Sequence, residues 1–329
     1  FALVKSFPLC YNGAEEKQGK RDERMAKKRK KKKSAAGLLI TLLILLIGGV
    51  FSVLYGTGNL PFGNGEQVDR PNSVPDGIIE VHFIDVGQGD SILIKTASGN
   101  MLVDAGPNSA EDQLNAYLEE QGVTSFTYAV FTHMDEDHIG GGDMIENNYK
   151  IETTIVPDQV TTTKTYQRLV DATEKNGCQV KQAVSGETYS LGEMQFTILA
   201  PNEESYKDSN NYSVVVRVDY GKTSMLLTGD AEVQSEKEIL AKYNQKTLKC
   251  DLLKCGHHGS DTSTSQEFLD AVNPTYAVIS CGKDNKYGHP KQVTLDKLNR
   301  KNITVYRTDL VGSVVFVSDG KTLTYQEKK

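Results

Sequence analysis

The chain has few cysteines and none in the spacing of a structural zinc site. None of its five cysteines forms a CxxC pair, so a zinc ribbon or zinc finger is not expected. No G-x-S-x-G sequence is present either, and that motif presents the nucleophilic serine of many hydrolases. Any hydrolytic chemistry in this chain therefore has to come from groups other than an activated serine.

Positive charge is scarce outside the N-terminal region. Residues 1–65 carry 12 Lys or Arg and 4 Asp or Glu, whereas residues 66–329 carry 25 and 39, a balance of −14. A protein that binds nucleic acid non-specifically usually shows the opposite sign, because its affinity comes from neutralising phosphates. A polyanionic substrate would have to be attracted locally, by metal ions or by a small basic patch.

A long uncharged apolar run lies near the N-terminus. Residues 35–55, AAGLLITLLILLIGGVFSVLY, are long enough to span the ~30 Å hydrocarbon core as a helix. Seven consecutive basic residues, 27–33, precede the run, and this asymmetry predicts a single-pass protein of the cell membrane with a cytoplasmic N-terminus and an extracellular body. A cleaved signal peptide is the alternative, but the run exceeds a signal core and no small-x-small cleavage site follows it. No protein partner can be inferred.

The segments around this helix complete the predicted domain organisation. Residues 1–34 are expected to form a basic cytoplasmic tail, and because Met25 opens a credible start, residues 1–24 are expected to come from an upstream start. Residues 56–76 are rich in Gly, Pro and Asn without periodicity, which predicts a flexible linker. Residues 77–329 are predicted to form one domain.

From Ile78 onward, short β-branched runs are separated by turns rich in Gly, Asn and Asp. Twelve such runs predict strands, and five stretches of helical periodicity lie between some of them. So many strands with interspersed helices predict an α/β sandwich of about 250 residues, with two sheets face to face and helices outside. The predicted strands are IIEVHFIDV, SILIKT, MLVDAG, YAVFTH, IETTIV, MQFTILAP, YSVVVRVDY, SMLLTGD, CDLLKCG, YAVISCG, ITVYRT and GSVVFVS, and the predicted helices span 109–121, 163–176, 231–243, 264–272 and 291–300.

The stretch VFTHMDEDHIGGG, residues 130–142, concentrates metal-ligand side chains at a strand end. His133, Asp135 and Asp137 alternate, so a loop leaving the strand can turn all three inward, while Asp137 and the adjacent His138 can serve a second ion. Two ligand sets this close fit two metal ions that share a bridging hydroxide. Asp230, which ends an apolar strand, is the candidate for a bridging carboxylate.

The order of the polar motifs resembles that of the metallo-β-lactamase fold hydrolases, and in particular the hydrolase domain of ComEC-type competence proteins. The resemblance covers about residues 78–320 and rests on FIDVGQGDS, LVDAG, FTHMDEDHIGG, NNYSVVVRV, LLTGD, KCGHHGS and YGHP, in that order. It implies that residues 77–329 form a hydrolase domain, an αββα sandwich with a two-metal site at one edge of the two sheets.

The resemblance also implies which residues hold the two ions. His133 and Asp135 would serve one ion, Asp137 and His138 the other, and Asp230 would bridge. A histidine of GHHGS would be the last ligand, and His258 is favoured over His257 because glycine directly follows the ligand in the usual motif. The implied metal ligands are therefore His133, Asp135, Asp137, His138, Asp230 and His258.

Further roles follow from the same resemblance. Asp104 matches an aspartate that braces the ligand loop, and Asp85 is expected to do similar work. His289 of YGHP is expected to contact the phosphate or leaving group of the substrate, and Asn211 is expected to bind substrate. The residues expected to take part in catalysis are Asp137, His257 and His289.

The sequence departs from the usual pattern of this fold in two places. Asp135 stands where histidine is usual, and Asn210 and Asn211 lie near the place of another missing histidine. Oxygen-rich sites favour harder ions, so the two expected divalent ions are Zn²⁺ or Mn²⁺.

The predicted function is hydrolysis of a phosphodiester, with DNA or a nucleotide as the leading substrate, by a metal-bridging hydroxide. Only one membrane segment is predicted, whereas the DNA channel of the competence proteins needs many. A phosphodiester on a cell-wall polymer, and a lactone or other ester, remain alternatives. A third hypothesis is an anchored binding module that keeps the fold without the chemistry.

Overall fold

Fifteen strands form the framework of residues 74–327, which are the residues that the computed structural model describes. In chain order they are β1 (Ile79–Phe83), β2 (Ile92–Thr96), β3 (Gly99–Val103), β4 (Ser125–Val130), β5 (Lys150–Val156), β6 (Gln179–Gln182), β7 (Thr188–Leu191), β8 (Met194–Ala200), β9 (Val215–Tyr220), β10 (Thr223–Leu227), β11 (Leu252–Lys254), β12 (Tyr276–Ile279), β13 (Thr304–Arg307), β14 (Val314–Ser318) and β15 (Leu323–Gln326).

These strands form two mixed sheets. One sheet has eight strands in the order β15-β14-β1-β2-β3-β4-β5-β6, and the other has seven in the order β13-β12-β11-β10-β9-β8-β7. Strands β3 to β6 are parallel, and so are β10 to β13. Each sheet therefore has one parallel half in which neighbouring strands end at the same edge.

Helices connect the parallel strands and cover the outer faces of the sheets. They are α1 (Glu111–Glu120), α2 (Glu136–Ile139), α3 (Gly142–Asn148), α4 (Lys164–Asn176), α5 (Val233–Lys242), α6 (Gln245–Leu248), α7 (Gln266–Val272), α8 (Gln292–Arg300) and α9 (Thr308–Val311), with 3₁₀ turns at Asn108–Ala110, Ser209–Tyr212 and Gly256–Gly259.

The alternation of side chains along each strand divides the interior into three apolar layers. In β2, Ile92 and Ile94 pack between the sheets, whereas Leu93 packs under the helices of the first sheet. In β10, Leu227 packs between the sheets and Leu226 packs under the helices of the second. Strands buried on both faces read as nearly continuous apolar runs, because successive side chains point to opposite faces.

The predicted αββα sandwich is confirmed. All twelve predicted strands and all five predicted helices are present within residues 74–327. Three strands were missed: β6, β7 and β15, each at an edge of its sheet. An edge strand has only one neighbour and less burial, and QVKQ in β6 is largely exposed, so no apolar run marks it.

The predicted basic tail and transmembrane helix lie outside the described residues, as does most of the predicted linker. Among residues 74–327, no helix is long and apolar enough to cross a membrane. The predicted domain boundaries stay predictions.

Candidate metal centre

The polar strand ends of the two sheets meet at one edge of the sandwich. Asp104 follows β3 and His133 follows β4 in the first sheet, whereas Asp230 follows β10 and His258 follows β11 in the second. The carboxyl ends of parallel strands are where open α/β sheets usually bind ligands. All four side chains are buried.

Asp104 holds the loop that carries the first histidines. Its Oδ1 accepts a 2.7 Å hydrogen bond from the main-chain N of Thr132, and its Oδ2 accepts one of 2.7 Å from the Thr132 hydroxyl. The same Oδ2 lies 2.8 Å from Nδ1 of His138. A carboxylate only accepts, so His138 carries a proton on Nδ1, and its Nε2 is the nitrogen that faces the interior.

His258 is oriented in the same way from the second sheet. Its Nδ1 donates to the carbonyl oxygen of Ser280 at 3.0 Å. Its Nε2 then lies 3.3 Å from Oδ2 of Asp137 and 3.4 Å from Oδ2 of Asp230. Oδ1 of Asp230 lies 3.3 Å from Nε2 of His138, so Asp230 stands between the two imidazoles.

Glycines let the ligand loop pack closely against neighbouring main chain. A Cβ atom at Gly89, where φ is +153°, would collide with the carbonyl oxygen of Asp137, and one at Gly140 would collide with the main chain of Asn108. The first contact is fastened by a hydrogen bond from the Asp90 main-chain N to the Asp137 oxygen, 3.2 Å long. Larger residues at these two positions would push the ligands apart.

Left-handed backbone recurs at the site. The backbone φ values of Asp104, His257 and His258 are 61°, 49° and 53°. Residues other than glycine rarely adopt this conformation. In the turn at Gly256–Gly259, His258 is buried and the preceding His257 is partly exposed.

The buried atoms of the site fit a metal centre. Nε2 of His133, His138 and His258 and Oδ1 of Asp230 are buried, and none forms a well-aligned hydrogen bond with a residue of the described chain. Burying a polar atom without a partner is costly, so a ligand is expected in the space they share. Among the described residues, four three-residue groups have ligand atoms within 4.8 Å of one another, and two of them consist only of predicted ligands, His133–His138–Asp230 and Asp137–His138–His258.

Asp230 is buried away from water, yet its carboxylate stays ionised because of the neighbouring imidazoles. Burial raises the pKa of Asp230, but the charges of His258 and His138 outweigh it and hold the pKa well below its usual range. Burial lowers the pKa of His258, yet Asp230 and the contacts with Asp137 and Asp90 raise it to about 10. Without a cation, positive charge in this space therefore comes from protonated imidazole.

Asp135 is the most exposed of the proposed ligands, whereas its neighbour His133 is fully buried. Nε2 of His133 lies 3.8 Å from Oδ2 of Asp135, whose side chain is 41% exposed. That carboxylate oxygen accepts a 2.9 Å hydrogen bond from the Ser209 hydroxyl. Burial lowers the pKa of His133 to about 4, so its imidazole is neutral and able to bind a cation.

His257 and His289 line the open side. Nε2 of His257 lies 3.7 Å from Oδ2 of Asp230, its Nδ1 lies 3.3 Å from Glu232, and the side chain is 24% exposed. The ring centroid of His289 is 5.5 Å from that of His257. The geometry thus brings His258 into the ligand space and leaves His257 beside it.

Two side chains make contacts other than those predicted for them. Oδ1 of Asp85 accepts a 3.1 Å bond from the main-chain N of Gly87, in its own turn. Asn211 is buried, and its Oδ1 accepts from the main-chain N of Glu232 and Ser235 at the start of α5. Its neighbour Asn210 faces the site instead, with Nδ2 3.3 Å from Nδ1 of His257.

A buried ion pair behind His258 was missed. Nζ of Lys254 lies 2.7 Å from Oδ2 of Asp90, and Oδ1 of Asp90 lies 3.4 Å from Nδ1 of His258. Lys254 is fully buried and also donates to the Cys255 carbonyl at 2.9 Å. The available signal was a lysine directly after the two leucines of CDLLKCG and an aspartate at the end of GQGD.

Comparison with known proteins agrees with this architecture. The sequence profile of the metallo-beta-lactamase superfamily matches residues 84–283. ComE operon protein 3 of Bacillus subtilis is 31% identical over 255 residues, which are 72% of this chain and 33% of that protein. Competence protein ComA of Neisseria gonorrhoeae is 32% identical over 248 residues, which are 75% of this chain and 33% of that protein.

The chain spans about a third of the length of these two relatives. Among solved structures, the metallo-beta-lactamase fold protein YhfI from Bacillus subtilis is 13% identical with a TM-score of 0.47, covering 73% of this chain and 100% of its own. A likeness that distant adds nothing to the assignment, which rests on the sequence profile and the sheet order.

Proposed function

Because this chain belongs to the metallo-beta-lactamase superfamily, we propose that it is a hydrolase that uses two divalent metal ions to cleave a phosphodiester. One observation carries the proposal. Three imidazole nitrogens and one carboxylate oxygen, brought together after β4, β10 and β11, are buried side by side, and none forms a well-aligned hydrogen bond within residues 74–327. Divalent ions bound between them would satisfy these buried atoms.

The residues of the site have separate tasks in this proposal. Divalent ions bound here would supply an activated water and stabilise negative charge on the substrate. Asp104 and the Ser280 carbonyl hold the imidazoles of His138 and His258 in the required tautomer. The residues proposed to hold the ions are His133, Asp135, Asp137, His138, Asp230 and His258.

The open side of the site is suited to the leaving group. His257 is partly exposed and lies beside Asp230, so its ring reaches both the reacting centre and solvent. His289 has a half-buried ring whose Nδ1 has no hydrogen-bond partner in the described chain. These two histidines are proposed to position the substrate and its departing oxygen beside the ions.

The substrate class is proposed from the relatives and from charge. One relative is named as a competence protein, and competence is the uptake of DNA, which makes a phosphodiester of DNA or a nucleotide the first candidate. The balance of −14 over residues 66–329 favours a substrate other than long duplex. A cell-wall phosphodiester is the second candidate, and a lactone or other ester the third.

The surroundings of the domain are part of the same proposal. Residues 35–55 are proposed to anchor the chain in the cell membrane. Because the basic run 27–33 precedes them, the hydrolase domain is proposed to lie outside the cell. Protease added to intact cells is expected to remove the domain. Its complete protection would contradict this orientation.

The experiment that tests the function is a substrate panel with the full chain in mild detergent. Bis-p-nitrophenyl phosphate, single- and double-stranded DNA, a phosphorylcholine ester and a lactone are each incubated with Mn²⁺ or Zn²⁺. We expect hydrolysis of phosphodiesters and two bound metal ions per chain. A preparation that binds no metal and cleaves nothing would instead support a binding module.

A further inference from the structure

A basic and aromatic loop borders the open side of the metal centre. Residues 282–291, GKDNKYGHPK, carry three lysines and one aspartate, whereas residues 66–329 as a whole have a balance of −14. Tyr287 in this loop is 47% exposed. Nζ of Lys286 lies 4.9 Å from the centroid of the Tyr287 ring. Positive charge and an exposed aromatic face therefore coincide next to the site.

A series of rings connects Tyr287 to the metal centre. Tyr287 stacks on His289 with centroids 5.7 Å apart and an interplanar angle of 23°. His289 lies 5.5 Å from His257, whose Nε2 is 3.7 Å from Oδ2 of Asp230. Two ring contacts thus connect the exposed Tyr287 to His257, which lies beside Asp230.

Hydrogen bonds hold this loop in position. Nδ2 of Asn285 donates to the carbonyl oxygens of Gly282 and His289 at 2.9 and 2.6 Å. The main-chain N of Lys291 donates to the Gly259 carbonyl at 2.9 Å, directly after the proposed ligand His258. The ring is therefore presented at a set distance from the ligands, which lowers the entropy lost on binding.

We propose that Tyr287, supported by His289, is a stacking platform for a base of single-stranded nucleic acid whose neighbouring phosphodiester lies at the metal centre. Lys286 and Lys291 neutralise phosphates of the same strand, and Lys286 leaves the ring as the base stacks. Aromatic side chains beside basic groups bind single strands because every base has a flat face. The inference rests on the proposed function, since it names the polymer that carries the phosphodiester.

This platform discriminates among the candidate substrates. Bases of duplex DNA are stacked on one another and would have to be unpaired to reach a protein ring. A cell-wall polymer or a lactone offers no base to stack. A requirement for Tyr287 that depends on the presence of bases therefore identifies the single strand.

The first test measures binding by fluorescence anisotropy with the full chain and two uncleavable phosphorothioate oligomers of equal length. One is oligothymidylate and the other is its abasic counterpart. Tyr287→Ala is expected to weaken oligothymidylate binding about 5- to 100-fold and to leave the abasic oligomer unaffected. Tyr287→Phe keeps the ring and is expected to keep most of the affinity. An unchanged affinity for oligothymidylate in Tyr287→Ala, or an equal loss on both oligomers, would overturn the platform.

The second test measures salt dependence. Lys286→Ala and Lys291→Ala are each expected to reduce the slope of log affinity against log salt by ~0.7, the value for one phosphate contact to a single strand. Lys321→Ala is the matched control, because this exposed lysine lies in the turn between β14 and β15, beside the start of β1 and away from the site. A slope that stays the same in both loop variants contradicts their contact with phosphates.

A cleavage assay distinguishes a failure of the stacking platform from a failure of the proposed hydrolase function. The metal-loaded protein is given the cleavable forms of both oligomers, and the abasic one reports phosphodiester cleavage without the platform. If neither oligomer is cleaved, the proposed function fails even where binding depends on Tyr287. If oligothymidylate is cleaved with the same KM by the wild type and Tyr287→Ala, the platform fails while the function stands.

Discussion

The two halves of the metal centre differ in how their side chains are held. On the buried half, each histidine donates a hydrogen bond from Nδ1 to a buried acceptor. His138 donates to the Asp104 carboxylate, and His258 donates to the main-chain carbonyl of Ser280. On the open half, Asp135 and His257 are 41% and 24% exposed. The interior side would therefore fix where an ion binds, whereas the open side is accessible from solvent.

The largest effect is expected from breaking the buried half at its base. Lys254→Met leaves the Asp90 carboxylate buried without its cation, which costs about 3–5 kcal/mol of unfolding free energy. It is also expected to weaken metal binding about 10- to 100-fold, because Asp90 supports His258. Urea unfolding of the metal-free protein and metal titration measure the two effects separately.

The matched control for that prediction is the double variant Asp90→Asn/Lys254→Met. It removes both charges, so most of the lost stability should return while metal binding stays weak. If Lys254→Met alone unfolds at the wild-type urea concentration, the buried ion pair does not support the site.

The next largest effect is expected at the junction of the two halves, where Asp230 lies between the imidazoles. Asp230→Asn should lower activity by more than about a hundredfold, beyond the usual cost of altering a ligand's outer partner. The domain should stay folded, as measured by circular dichroism, and retain less than the full complement of metal. A variant with wild-type metal content and activity would show that Asp230 is not a ligand.

A smaller effect is expected at two adjacent asparagines, Asn210 and Asn211. Asn211→Ala removes the acceptor for two main-chain N–H groups at the start of α5 and should cost about 1 kcal/mol of unfolding free energy. Asn210→Ala, on the open side, should change stability by less than about 0.5 kcal/mol and alter KM instead. The reverse pattern in thermal unfolding and kinetics would mean that their roles are exchanged.

The smallest effect concerns the choice of metal at the open half. Asp135 supplies a hard oxygen donor where the fold usually has histidine, so the metal-free protein should regain more activity with Mn²⁺ than with equimolar Zn²⁺. Asp135→His should shift that ratio toward zinc by on the order of a few-fold. Asp319→His, in the turn between β14 and β15, is the control. An unchanged ratio in Asp135→His would show that residue 135 does not set the choice.

Local patterns were enough to predict twelve of the fifteen strands and most of the proposed ligand set. The alternating HMDEDH stretch and the strand-terminal Asp230 can be recognised from the sequence, because each motif lies within a few consecutive residues. The contact between Asp90 and Lys254 could not be predicted in this way, because the two residues lie far apart in the chain. It depends on how β11 packs beside the β1–β2 turn. For the same reason nothing local distinguished Asp85 from Asp90 within FIDVGQGDS.

The adjacent asparagines illustrate the same limit at shorter range. Asn210 and Asn211 follow one another in a 3₁₀ turn, Ser209–Tyr212, so their side chains point in different directions. Which of them faces the site depends on where α5 begins, and that is set by tertiary packing. A residue type alone could not decide between a substrate contact and the start of a helix.

The left-handed backbone at Asp104, His257 and His258 has a consequence for selection. Each such residue other than glycine costs roughly 1–2 kcal/mol relative to an ordinary conformation, and glycine would relieve that cost at each position. At Asp104 and His258 that gain is outweighed, because glycine would also remove buried hydrogen bonds. His257 is partly exposed, so a screen for heat resistance alone should favour glycine there. A heat-resistant descendant selected in this way would have lost the imidazole beside Asp230.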